Sequence, residues 1–192
     1  MTIETVAGPS ALVAAVATVV GAVTLGLFFA KGQPWGTIND VASIVLMLAT
    51  IPVALAIASA TSGWNGSAAG AAAVGIVGMV GASVTQGLLI ARSFTYERLL
   101  PWTLGFGAVV GVWYLLIGLG SVRSPFFDND VVGLDKLAIA SGVAFIALGY
   151  GFLRGNERHP LSIIGGVVLL VTSTWFLTWL GLLYISGDIY AV

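Results

Sequence analysis

Six runs of about twenty apolar residues follow one another along the chain, at about 9–30, 40–60, 68–91, 102–122, 132–153 and 161–186. Such a run is long enough to cross the hydrocarbon of a bilayer as a helix. With no water there, backbone polar groups must be satisfied inside the segment, which a helix does and an open strand does not. The expected fold class is therefore all-α: an integral membrane bundle of six transmembrane helices, one domain covering 1–192. The interruptions are short, so no soluble domain fits between spans. Composition agrees at the one point that matters. Charged residues make up 8% of the chain, against roughly 25% in a soluble domain, too few to clothe a water-facing surface.

The same scarcity excludes whole classes of function. Net charge is −1, which leaves no footprint for nucleic acid. The basic residues are single and scattered, with no patch for anionic lipid. Without cysteine there can be no disulfide, Fe–S cluster or thiolate zinc site. One histidine excludes a bis-His haem or three-His metal site. No metal or cofactor is expected. The start, MTIETVAGPS, lacks a basic n-region, so an uncleaved first span is expected rather than a secretory signal.

Six spans put both termini on one side, and basic residues choose the side. Lys31, Arg92, Arg98, Arg154 and Arg158 fall in the first, third and fifth loops; Arg123 and Lys136 fall by the fourth. The expectation is a multi-pass protein of the plasma membrane with odd loops cytoplasmic and both termini extracytoplasmic. Small residues recur where helices could meet closely: Ala14, Thr18, Ala22, Gly26 and Ala30 in the first span, Ala71, Gly75, Gly78, Gly81 and Ala82 in the third, Gly107 and Gly111 in the fourth. They suit packing within the bundle, with a homo-oligomer seam as the alternative.

A shift of ninety residues aligns Val19-Val20-Gly21 with Val109-Val110-Gly111 and Asn39-Asp40-Val41 with Asn129-Asp130-Val131. Over 19–60, 9 of 42 positions agree, where chance in so apolar a chain gives roughly four. A real duplication would relate 9–91 to 102–186. Three spans per half makes the halves inverted, a transporter architecture whose binding elements are interrupted helices at matching positions. Pro52 and Gly142 match in that sense.

The candidate ion or solute site is accordingly Asp40, Asn39, Pro52, Gln86, Thr174 and Thr178, with Asn129, Asp130 and Gly142 as repeat partners. Each has a plainer reading. Thr37-x-x-Asp40 fits a capping box, with Trp35 as a headgroup anchor. Gln86 is polar at modest depth in the third span. Thr174 and Thr178 share a helix face and can bond to their own backbone; as a pore wall they suit water or a neutral solute. Asp128-Asn129-Asp130 opens like a calcium loop, but Val132 and Ile139 stand where ligands belong.

PWGTINDVASIVLMLATIPVAL resembles a stretch of small bacterial multi-pass membrane proteins of uncharacterised function, in which a Pro-x-Gly-x-x-Asn-Asp segment opens a span; Pro34, Gly36, Asn39 and Asp40 carry the likeness. It implies a membrane fold and no activity. Gly81-Ala82-Ser83 resembles the serine motif of rhomboid intramembrane proteases, but no second glycine follows and no later span holds a histidine. Catalysis is not expected, since no acid–base or nucleophile constellation is present. The leading expectation is a non-catalytic scaffold or accessory subunit that partners the bilayer and either a second copy or another membrane protein. The alternative is a channel or uniporter for a small neutral solute or ion.

Overall fold

The computed structural model describes residues 2–60, 66–121, 133–155 and 158–187. They form six helices and, among the described residues, no strand: α1 (Ile3–Lys31), α2 (Trp35–Ala60), α3 (Ser67–Ile90), α4 (Tyr96–Ser121), α5 (Leu134–Gly155) and α6 (Pro160–Ser186). All six are long and apolar enough to cross a membrane. Three begin well before their apolar runs. α1 and α4 take Pro9 and Pro101 into their second turns and carry Glu4 and Glu97 in their first. In a bilayer an apolar run would mark hydrocarbon depth while the helix continues into the headgroups; an acidic first turn suits the helix dipole.

Each helix packs against its neighbours in the chain, and α6 closes on α1, so the bundle is a ring. Gly8 of α1 lies against Gly181 of α6, which puts the first turns of α1 beside the last of α6. The helices run alternately up and down, and the odd connections share one end.

Small residues make the seams. A Cβ at Gly75 or Gly78 would lie 2.6 or 2.9 Å from Trp113 and Val110, and one at Gly81 would run into the Phe106 ring. The small face of α3 is thus a trough for the large side chains of α4. Gly111 and Gly142 meet reciprocally: a Cβ on Gly142 would sit 2.6 Å from the Gly111 carbonyl oxygen, and one on Gly111 2.9 Å from that of Gly142. Without a hydrophobic drive between helices in lipid, this close backbone approach is a main source of packing energy. The stripe on α1 behaves differently. Ala14 and Thr18 are buried, yet Gly26 and Ala30 are exposed, with nothing near Gly26. Four-residue steps advance about 400° on a helix of 3.6 residues per turn, so the stripe winds off the buried face.

The interior of the ring is filled in one half only. Trp113, Tyr114, Phe176, Ile57, Met79, Ile117, Leu177 and Leu180 are its largest fully buried side chains. They sit towards the end that carries the chain termini. Tyr114 reaches across from α4 to α6, its ring edge-on to Phe176 with centroids 5.5 Å apart, and also stacks on Phe145 of α5 at 6.0 Å. Deep in the α5–α6 seam, the Ser141 hydroxyl donates to the Thr172 hydroxyl at 2.9 Å. Valines such as Val16, Val77 and Val171 face outward.

Candidate functional site

The other half of the ring is hollow. A cavity of about 650 Å³ is lined by the last turns of α1, α3 and α5, the first half of α2 and α4, and the first and third connections. α6 contributes nothing to it. Met47 and Phe145 lie at its inner end and pack against the buried core beyond. The cavity therefore opens towards the odd connections and stops at the filled half, where Tyr114 and Phe176 form an aromatic plug beyond Phe145. Its size is that of a small-molecule site.

The local fold of the first connection decides how Asp40 is used. α2 starts at Trp35, so Thr37 already lies inside its first turn. The Gln33 side chain caps the helix: its Oε1 accepts from the Thr37 amide at 3.3 Å and from the Thr37 hydroxyl at 3.2 Å. The expected capping box does not form, because Thr37 is itself the capped residue. Asp40 then stands in the second turn, beyond the orphan amides of the helix start, and lines the cavity. Its neighbour Asn39 hydrogen-bonds to it and lies against Gly21 of α1, where a Cβ would be 3.8 Å from Asn39 Oδ1. Among the described residues no cationic group pairs with Asp40.

Two further polar groups share its level. Gln86 lies four residues before the end of α3 and Thr103 seven after the start of α4; Asp40 is five residues into α2. At about 1.5 Å of rise per residue, all three sit roughly 6–11 Å below the same end of the bundle. Gln86 Oε1 and Thr103 Oγ1 are buried and make no hydrogen bond. Phe28, Phe145, Leu148 and Phe152 give the walls apolar surface, with Gln33, Thr37 and Tyr96 nearer the mouth and Ser43 deeper along α2.

At the rim stands Arg92, exposed, with a φ of 54°. It closes α3: the Arg92 amide donates to Leu89 O at 3.0 Å and the Ser93 amide to Leu88 O at 3.1 Å. That is the Schellman arrangement, in which the left-handed position usually belongs to glycine. A side chain there costs roughly 1–2 kcal/mol.

Of the sequence candidates, the fold thus brings Asp40, Asn39 and Gln86 into one cavity. Pro52, Thr174 and Thr178 do not line it. Pro52 is half-buried in α2, and Thr174 Oγ1 is buried without a partner elsewhere. Gly142 belongs to the α4–α5 seam. Asn129 and Asp130, like the calcium-like loop, lie outside the described residues. Thr103 and Arg92 were missed by sequence reasoning. Nothing in sequence distinguishes Thr103 from other span threonines; Arg92 was counted only as a charge.

Comparison with protein-family models, with curated proteins and with solved structures returns no match.

Proposed function

We propose that the protein is a multi-pass membrane protein that binds a small organic solute in the cavity between α1 and α5, in the manner of a carrier or uniporter. The observation that carries this reading is the one-ended cavity: hollow and polar-belted in one half, filled by Tyr114, Phe176 and Trp113 in the other. A pore for steady conduction needs an open path, and a scaffold has no use for a hollow holding a carboxylate with no cationic partner among the described residues. An ionisable residue in a transmembrane helix is costly and marks a pathway or site by default. The geometry therefore favours the carrier over the scaffold. The non-catalytic expectation drawn from the sequence is kept.

The proposed orientation follows the basic residues of the odd loops, which places the cavity mouth on the cytoplasmic face and both termini outside. An inverted duplication of 9–91 and 102–186 is compatible with the ring, whose neighbour pattern is unchanged when α1–α3 are exchanged with α4–α6. A carrier of this build would expose the site alternately, with the plug as the element that must part.

The chain has no cysteine of its own, which makes the test direct. With Ser43→Cys, in the cavity wall, a membrane-impermeant maleimide should label the protein from the cytoplasmic side only. Thr50→Cys, buried further along α2, should stay unlabelled. Solute uptake into liposomes, wild type against Asp40→Ala, then separates carrier from passive pocket. Equal labelling of both cysteines, or of neither, would refute the one-ended cavity.

A further inference from the structure

The polar groups of the cavity are unevenly matched, and the imbalance names a ligand class. Asp40 supplies carboxylate oxygens with no cationic partner among the described residues. Gln86 Oε1 and Thr103 Oγ1 add two buried oxygens without hydrogen bonds, at the same depth on the neighbouring helices. The belt thus offers a negative charge and oxygens free to accept, while the Thr103 hydroxyl and the Gln86 amide can donate as well; the charge is what asks for a cationic donor. Water can fill these positions, but a group that replaces it without loss must reproduce its donated hydrogen bonds. A primary ammonium has three such donors and no acceptor. The walls beside the belt are apolar and aromatic. Phe28, Phe145 and Phe152 line the cavity and give apolar surface to the body of such a ligand.

We propose that the cavity is a binding site for a protonated primary or secondary amine with an apolar body, its ammonium held by Asp40 with Gln86 and Thr103 as neighbouring acceptors. This rests on the solute-pocket reading above and narrows it. A neutral solute would leave the Asp40 charge without a partner in a largely apolar hollow. An anion would meet that charge directly. Arg92, the only basic side chain among the described lining residues, is exposed at the rim, where solvent and salt screen it. It therefore does not cancel the field of a carboxylate set deeper between helices. The preference for N–H donors also separates this site from one for quaternary ammonium ions, which carry charge but nothing to give Gln86 or Thr103.

The experiment uses the full chain in lipid nanodiscs and titration calorimetry with four probes of one shape: 2-phenylethylammonium, its N,N,N-trimethyl analogue, 2-phenylethanol and 3-phenylpropanoate. The primary ammonium should bind about 10-fold to 100-fold more tightly than the alcohol, as hydrogen bonds to a charged group imply. The trimethyl analogue should fall between them, and the carboxylate should bind weakest. In Asp40→Asn, which keeps side-chain shape, the ammonium should lose its advantage while the affinity for the alcohol stays. The wild-type series needs no variant, so a folding defect in Asp40→Asn does not decide the result. Equal binding of ammonium and alcohol, or an advantage that survives Asp40→Asn, overturns the ammonium site and leaves the solute pocket standing. Absence of binding by all four, with Ser43→Cys still labelled, overturns it as well. Absence of binding with Ser43→Cys unlabelled overturns the pocket itself.

Discussion

Tyr114 of α4 meets Phe176 of α6 edge-on across the ring, at 5.5 Å and 72° between planes. These two helices are not neighbours in the ring, so the contact bridges its interior and separates the hollow half from the filled one. Edge-to-face pairs contribute about 0.5–1.5 kcal/mol beyond their burial, but the greater consequence is closure. Phe176→Ala should extend the cavity towards the terminal end. The expected loss of stability is about 1–3 kcal/mol: the packing part of a large-to-small core change survives in lipid, whereas the transfer part largely does not. Small-solute leakage through liposomes should rise. Leakage equal to wild type, with the predicted fall in melting temperature, would show that the plug is not what closes the path.

Gly75 and Gly70 lie on the same helix with opposite surroundings. A Cβ on Gly75 would fall 2.6 Å from the Trp113 ring, while Gly70 has nothing within 4 Å. Gly75→Ala should therefore destabilise by about 1–3 kcal/mol through overpacking. Gly70→Ala should stabilise by up to about 1 kcal/mol, as alanine does in an open helical position. Thermal unfolding in one detergent compares them. The same sign for both would remove the α3–α4 trough from the description.

Arg92 occupies a left-handed backbone position at the cavity rim. Arg92→Gly should raise stability by roughly 1 kcal/mol, because glycine adopts that conformation without strain. Arg92→Ala removes the same charge but keeps the strain, so it should leave stability near wild type. If the two variants melt together, the strain is not there.

The Ser141–Thr172 hydrogen bond joins α5 to α6 at 2.9 Å, and the Thr172 hydroxyl also donates to Val168 O at 2.8 Å. Such bonds in membrane bundles average about 0.6 kcal/mol. A double-mutant cycle of Ser141→Ala and Thr172→Val should return a coupling of that order. Because neither residue lines the cavity, ligand affinity should not change, and a change would tie the seam to the site.

Much of this was legible in the one-dimensional pattern. Period-free apolar runs announce spans, and six of them of this length leave little choice of fold class. The small faces of α3 and α4 were legible too, because glycine at helical spacing has few other uses in a membrane. The α1 stripe misled in part, since regular four-residue spacing is not the helical period, and Gly26 drifts out to the exposed side. The capping box failed for a different reason. Its letters were present, but the helix began at Trp35, three residues before the start the box implies, and Gln33 reached the amide first.

What the sequence determined by itself was the class: six long apolar helices, each able to cross a membrane, and no cysteine for thiol chemistry. Those follow from hydrophobicity and residue inventory, which are sums over local stretches. Only the tertiary structure decided that Asp40, Gln86 and Thr103 share one level of one cavity, that Thr174 and Thr178 do not line it, and that Tyr114 and Phe176 pack beyond its inner end. Those facts depend on the rotation of each helix about its own axis. In lipid that rotation is set by side-chain fit at the seams, glycine against tryptophan and carbonyl against glycine, and not by any pattern along a single helix.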